Sequence, residues 1–281
     1  MNGIIVIDKP AGWTSHDVVA KLRRIMGERR IGHGGTLDPM ATGVLPVFVG
    51  RATRAVEFME NADKEYVAGI KFGITTDTQD ITGNIMSTNE RTVTRDRLSE
   101  ILPRFTGEQE QVPPMYSALK HNGKKLYELA RKGVEVERKA RRITISDLEI
   151  VDFGENEAIL RVVCSKGTYI RTLCHDVGQA LDCGAVMSSL RRTRAGAYTE
   201  ADAVQLADAS PEMLIPIDTV FAKYPACTVG EPQEKKIRCG ADFNTDTTDG
   251  MWRVYGEKGE FLMLGKADGG VMTTVKSFFE V

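Results

Sequence analysis

The chain has 281 residues, 42% hydrophobic and 27% charged, with a net charge of −2. That balance suits a soluble globular protein of about two domains. Apolar runs such as Val44–Val49 are far too short to span a bilayer, and Ile4–Ile7 before Asp8 and Lys9 is too short for a secretory core, so no membrane association and a cytoplasmic location are expected.

In chain order, Ile4–Ile7 reads as a short buried strand, followed by a turn at Lys9-Pro10-Ala11-Gly12. A helix is predicted from Ser15 to Met26, with Ser15 as N-cap, Val18, Val19, Leu22, Ile25 and Met26 on one face, and Gly27 closing it. Val44–Val49 is a strand that Pro46 should push to a sheet edge or a bulge. A second helix is expected near 51–61. Tyr66, Ala68, Ile70 and Phe72 alternate in a half-buried strand, and a turn-rich stretch, GITTDTQDITG, follows it. A helix around 94–102 should bury Leu98, Ile101 and Leu102, before Val112-Pro113-Pro114-Met115 breaks regular structure.

Lys124–Lys132 looks helical, with Gly133 as its stop. Ile143–Val151 and Ala158–Cys164 read as two strands joined at Gly154-Glu155-Asn156, and a helix of roughly 169–181 follows with Thr168 as N-cap. Ala185–Arg192 returns as a strand. Without a steady βαβ rhythm, these elements favour an α+β core with a mainly antiparallel mixed sheet flanked by helices. From about Ala226, apolar runs at Trp252–Tyr255, Phe261–Leu264 and Val271–Val275 suggest a small β-rich appendage.

Charge is uneven along this chain. Residues 196–281 hold 14 acidic and 8 basic side chains, whereas 120–142 alone hold nine Lys or Arg against three Glu. Such a stripe reads either as a solvated face or as a nucleic-acid contact. Five cysteines without C-x-x-C spacing and four scattered histidines fit neither a disulfide framework nor a metal centre. No metal is expected.

Three features bear on chemistry. In GHGGTLDPMATG (32–43), Pro39 restricts Asp38 to extended backbone, and Gly34 and Gly35 can take positive φ. A lone Leu-Asp-Pro is as readily a turn, and the loop matches neither phosphate-binding glycine pattern. Arg171 falls in the first turn of its helix, against the macrodipole; a carboxylate partner would remove the objection, and an Asp38–Arg171 pair would hold the aspartate ionised well below neutral pH, as suits a nucleophile. Alone, Arg171 reads equally as a surface cation. Tyr66 and Leu190 could sandwich a planar ring, or simply be core.

Together these segments resemble the TruB family of tRNA pseudouridine synthases. The resemblance lies in GIIVIDKPAGWTS (3–15), GHGGTLDPMATG (32–43), DKEYVAGIKFG (63–73), TDTQDITG (76–83), QVPPMYSALKHNGKKLYELARKG (111–133), CSKGTYIRTL (164–173) and LRRTRAG (190–196). Gly34 stands where many members carry threonine, a variation the loop's backbone freedom should absorb. The resemblance implies a pseudouridine synthase fold over 1–225, with 120–142 as a basic RNA-contacting insertion and 226–281 as a small PUA-like RNA-binding domain. It implies isomerisation of uridine-55 in the T arm of tRNA, without cofactor or guide RNA, by an enzyme expected to be a monomer. Asp38 would be the nucleophile, Arg171 its ion-pair partner, Tyr66 the stacking residue and candidate base, and Leu190 the apolar floor. His33 would help extrude the uridine. Lys9, Asp80 and Tyr169 would line the site, and Lys124, Lys125, Arg141 and Arg142 would meet the RNA backbone. An RNA-binding protein or tRNA-folding chaperone with an idle site, and a small-molecule enzyme holding a phosphate in the glycine loop, are the competing readings.

Overall fold

The computed structural model describes residues 1–279, the side chain of Glu60 excepted; the last two residues of the expected 226–281 appendage lie outside them. A helix forms over Ser15–Met26 as its apolar spacing requires, and Gly27 ends it at φ 61°. Its cap lies one residue earlier than expected. The Thr14 hydroxyl accepts from Asp17 N while the Asp17 carboxylate accepts from Thr14 N, a reciprocal capping box. Ser15 is thereby freed to bond elsewhere.

The main sheet is mixed and mostly antiparallel. Its strands run in the order Ala203–Gln205, Gly3–Lys9, Thr42–Val49, Ala185–Ala195, Lys64–Phe72, Glu157–Cys164, Arg141–Gly154 and Gly107–Gln111, with Ile31–His33 and Tyr198–Thr199 attached at the side. Among the described residues two of its pairings are parallel, those of Ala203–Gln205 with Gly3–Lys9 and of Ala185–Ala195 with Thr42–Val49. The run Ile4–Ile7 is apolar throughout because both faces are covered. Ile5 and Ile7 join Val18, Leu22, Leu98, Leu173 and Val177 beneath the helices. Ile4 and Val6 join Val44, Phe48 and Phe221 on the other face.

Pro46 lies inside this sheet rather than at its edge. Val6 is its partner in the neighbouring strand, and its carbonyl accepts from Gly34 N at 2.9 Å on the opposite side. Within a strand the N and O of one residue face the same way, so the missing N–H points to that looser side, where Thr42–Val49 pairs only at its two ends. Near 51–61 the chain makes a 3₁₀ turn, Gly50–Ala55, continued by a short helix, Val56–Glu60. The helix expected over Lys124–Lys132 is only Leu126–Ala130, preceded by a two-residue hairpin of Lys120–His121 with Lys124–Lys125. Thr168 does not cap the next helix, Ile170–Ala180: Tyr169 holds that position without a side-chain bond, and the Thr168 hydroxyl donates to Ser165 O.

The second sheet is built from Ala226–Val229, Gly250–Gly256, Phe261–Asp268, Val271–Ser277 and Phe243–Asn244. It also carries a helix, Glu231–Arg238, that buries little besides Ile237 and so shows no apolar stripe in the sequence. An aromatic cluster joins this sheet to the main one, with Phe221 packed edge-on to Phe58 and tilted against Phe261 and Phe278.

Candidate active site

Asp38 lies on the loop between Ile31–His33 and Thr42–Val49, and both of its neighbours are tied down. The Ser15 hydroxyl accepts from Leu37 N at 2.9 Å and donates to Leu37 O at 3.3 Å. Gly12 N donates to Pro39 O at 2.8 Å. Lys9, completely buried, donates to the carbonyls of Pro39 (3.2 Å), Pro10 (2.9 Å) and Trp13 (2.6 Å), and burial pulls its ammonium pKa down to about 8. Lys9 therefore acts as a rivet between two turns. Gly35 sits at φ 125°, open only to glycine at little cost, and its carbonyl accepts from Arg192 Nη2 at 3.2 Å.

Gly34 has no positive φ; what it requires is space. A Cβ there would meet Phe48 Cε2 at 2.9 Å and Met59 Cβ at 3.3 Å, and Phe48 is fully buried. Glycine is accommodated at this position because Phe48 and Met59 fill the space that a larger side chain would need. Gly34→Thr should lower stability by about 1–3 kcal/mol through overpacking, read as a lower melting temperature in a thermal scan. An unchanged melting temperature would mean that the Phe48 ring yields freely.

Arg171 enters from the start of the Ile170–Ala180 helix, 5% exposed, and forks onto Asp38. Its Nε lies 2.9 Å from Asp38 Oδ2, and Nη2 lies 3.3 Å from Oδ1. Nη2 also donates to Tyr116 O (2.9 Å) and Nη1 to Thr78 O (3.2 Å), with Asp80 Oδ2 at 3.7 Å from Nη1. Asp80 is itself held by Thr78 Oγ1, Thr82 N and Thr82 Oγ1. The cation that opposes the helix dipole is thus compensated by two carboxylates and two carbonyls.

The pKa of Asp38 departs from expectation. About a third of its side chain (34%) reaches solvent, yet burial of the carboxyl raises its pKa above the ordinary value. The Arg171 guanidinium pulls the other way, the Asp80 charge adds to the rise, and Lys9 opposes it. Removal of hydration outweighs the paired charge.

Tyr66 and Leu190 stand on adjacent antiparallel strands. Leu190 is opposite Ala68 and Arg192 opposite Tyr66, so all four share one face. Burial raises the Tyr66 hydroxyl pKa, against the charge and side-chain hydrogen bond of Arg192. Arg192 is 1% exposed and also donates to Val44 O at 2.7 Å. Burial pushes the His33 imidazole down to about 4, helped by His16 and Arg192, which leaves it neutral at pH 7. Its Nδ1 is buried without a hydrogen-bond partner among the described residues, and its ring meets that of His16 edge-on at 5.5 Å.

Tyr169 is pinned through its backbone by the Gln111 side chain, with bonds of 2.8 and 3.1 Å. Burial raises its hydroxyl pKa, while the Ser117 hydroxyl and the nearby charge of Arg141 lower it. Arg141 and Arg142 open a long strand and are exposed. Lys124 and Lys125 lie on the short hairpin, where Lys125 and Arg131 both flank the Tyr127 ring. Among the described residues Lys124, Lys125 and Arg142 make no hydrogen bond or ion pair with Asp38 or Arg171. The fold therefore gathers Asp38, Arg171, Asp80, Tyr66, Leu190, Lys9, His33 and Tyr169, and leaves three of the four basic residues on an outer surface.

Sequence reading missed Ser15, Gln111, Arg192, and the carbonyls of Thr78 and Tyr116. Arg192 had a signal, since it lies two residues beyond Leu190 and so on its face. Carbonyls have none, because every residue type carries one.

The chain is similar to known proteins over most of its length. The model of the TruB family pseudouridylate synthase N-terminal domain matches residues 23–170, and that of the tRNA pseudouridylate synthase B C-terminal domain matches 171–221. A tRNA pseudouridine synthase B from Azoarcus sp. is 44% identical over 278 residues, covering 96% of this chain and 92% of the relative. One from Clostridium kluyveri is 44% identical over 275 residues, covering 94% and 95%. Among solved structures, a chain of an H/ACA RNP bound to a substrate RNA containing 2′-deoxyuridine superposes with a TM-score of 0.74 at 27% identity, covering 99% of this chain and 85% of that one. A Cbf5-Nop10-Gar1 complex gives the same TM-score and coverage at 29% identity.

Proposed function

The chain belongs to the TruB family of pseudouridylate synthases, which are isomerases, and from that membership we propose that it converts uridine-55 in the T arm of tRNA to pseudouridine with Asp38 as nucleophile. The observation that carries this reading is the two-point contact of Arg171 with a carboxylate that stays about one-third exposed to solvent. A binding surface for polyanions has no use for a carboxylate at its centre, where it repels phosphate.

In the reaction the N-glycosidic bond breaks, uracil turns within the site, and C5 forms the new bond to the ribose. The C5 hydrogen leaves as a proton and N1 gains one, so atoms and electrons balance with no redox step or cofactor. Attack at the ribose C1′, attack at the base C6 and a glycal route all draw on the same carboxylate. Tyr66, backed by Arg192, stacks on the turned base, and as candidate base for the C5 proton it depends on the Arg192 charge, which opposes the burial that raises its hydroxyl pKa. Leu190 closes the opposite side of the ring. Neutral His33 takes part in extruding the nucleotide without adding charge to the site. Lys9, Asp80 and Tyr169 hold or line the site, while residues 120–142, with Lys124, Lys125, Arg141 and Arg142, close on the RNA backbone.

In this reading residues 1–225 form the catalytic domain and 226–281 a PUA-like RNA-binding domain, and the enzyme works as a cytoplasmic monomer without a guide RNA. The test is tritium release from a T-arm stem-loop carrying uridine labelled at C5. Release should require the uridine at position 55, stop when that residue is cytidine, and weaken steeply with salt through KM. Tight RNA binding with no release would instead mark an RNA-binding protein with an idle site.

A further inference from the structure

The segment Gly12–Ser15 is bonded to both sides of the residue proposed as nucleophile. Gly12 N reaches Pro39 O, and Ser15 Oγ reaches Leu37 N and O. Trp13 lies between these anchors and Asp38 between those. Buried Lys9 clasps the same two turns by donating to the carbonyls of Trp13 and Pro39. The backbone of Trp13 is therefore held against that of Asp38 by bonds on either side. Trp13 is 38% exposed, an uncommon state for so large an aromatic in a turn otherwise fixed by polar contacts. The next exposed aromatic ring along the chain is His16, edge-on to His33.

We propose that Trp13 is a stacking platform for an unpaired base adjoining the uridine that enters the cleft, so that this residue helps to select a loop with a splayed neighbour. The inference rests on the synthase reading above. Extruding one nucleotide leaves its neighbour unstacked on at least one face, and an exposed indole on the turn bonded to the Asp38 loop offers the replacement surface. Trp13 then holds the neighbouring nucleotide by its π-face. Stacking is indifferent to charge, so this contact adds affinity without adding to the salt dependence supplied by the basic stretch.

The chain has only two tryptophans. Trp252 lies in the second sheet with its indole N–H on Thr248 O. In the Trp252→Phe, Asp38→Asn protein, Trp13 is the sole indole and bound RNA is not turned over. Titration with a T-arm stem-loop is expected to quench its emission saturably, and an abasic residue at one position flanking the target uridine should remove the quench. In protein otherwise wild type, Trp13→Ala should raise KM for the stem-loop about 5- to 150-fold with kcat at saturation little altered. Trp13→Phe should restore most of the loss, and the salt slope should be the same in all three. Unquenched emission, or a Trp13→Ala KM equal to that of the parent, would overturn the proposal. Wild-type turnover measured alongside separates the two readings: none at all removes the synthase assignment itself, whereas normal turnover with an unmoved KM removes only the role of Trp13.

Discussion

Asp38→Asn is expected to cut pseudouridine formation by at least about 10⁴-fold, in line with the loss of a nucleophile that works as part of a unit, while RNA affinity stays close to wild type. The amide keeps the shape of the carboxylate but cannot form the covalent adduct. Arg171 remains satisfied by Tyr116 O, Thr78 O and the nearby Asp80, so the cleft should keep its form. The expected result is intact binding with no tritium release, measured on one preparation by filter binding and by single-turnover assay. Normal turnover in this variant would place the nucleophile elsewhere. Lost binding together with lost turnover would point to collapse of the loop instead of missing chemistry, and a thermal scan tells these apart.

The second large effect concerns Arg171, where charge and geometry can be separated. Burial and the Asp80 charge both raise the Asp38 pKa, and the guanidinium is the largest contribution against them. The reacting form is the carboxylate. Arg171→Gln removes the opposing charge, so the Asp38 pKa must rise further and the acid limb of the pH–rate profile must move to higher pH. Arg171→Lys keeps a cation but loses the planar fork that reaches Asp38 at two points and two carbonyls besides. Its acid limb should stay nearer that of the parent, while kcat falls about 10²-fold because the carboxylate is held less well. A wild-type pH profile in Arg171→Gln would break the link between the two groups. Because Arg171→Gln removes one partner of a largely buried ion pair, which destabilises the fold, and Arg171→Lys loses hydrogen bonds, both variants call for assay below their melting temperatures.

Much of the site was legible because its chemistry sits in short, compositionally odd segments. A proline behind Asp38 and a cation in a first helical turn are local anomalies, and each asked for a partner from elsewhere. The corrections fall where two local solutions were equally good. Either Thr14 or Ser15 could cap the first helix; the choice went to Thr14 because Ser15 is taken by Leu37, more than twenty residues away. Pro46 looked like an edge residue because its missing N–H is visible in sequence, whereas the side to which that N–H would point is not. The short strand Gly107–Gln111 has no apolar pattern, since its sequence is GEQEQ and only Gln111 is buried. Its role is to present Gln111 to the backbone of Tyr169.

By itself the sequence determined which side chains are able to do the chemistry, and the local backbone around Asp38, because backbone preference and hydrogen-bonding capacity belong to residue types. Only the tertiary structure decided the protonation energetics and the supports. The Asp38 pKa is raised, not lowered, because loss of hydration depends on everything packed around the carboxyl. Arg192, Lys9 and Ser15 act through contacts with distant carbonyls and amides, groups that are the same in every residue and so become specific only once the chain has folded.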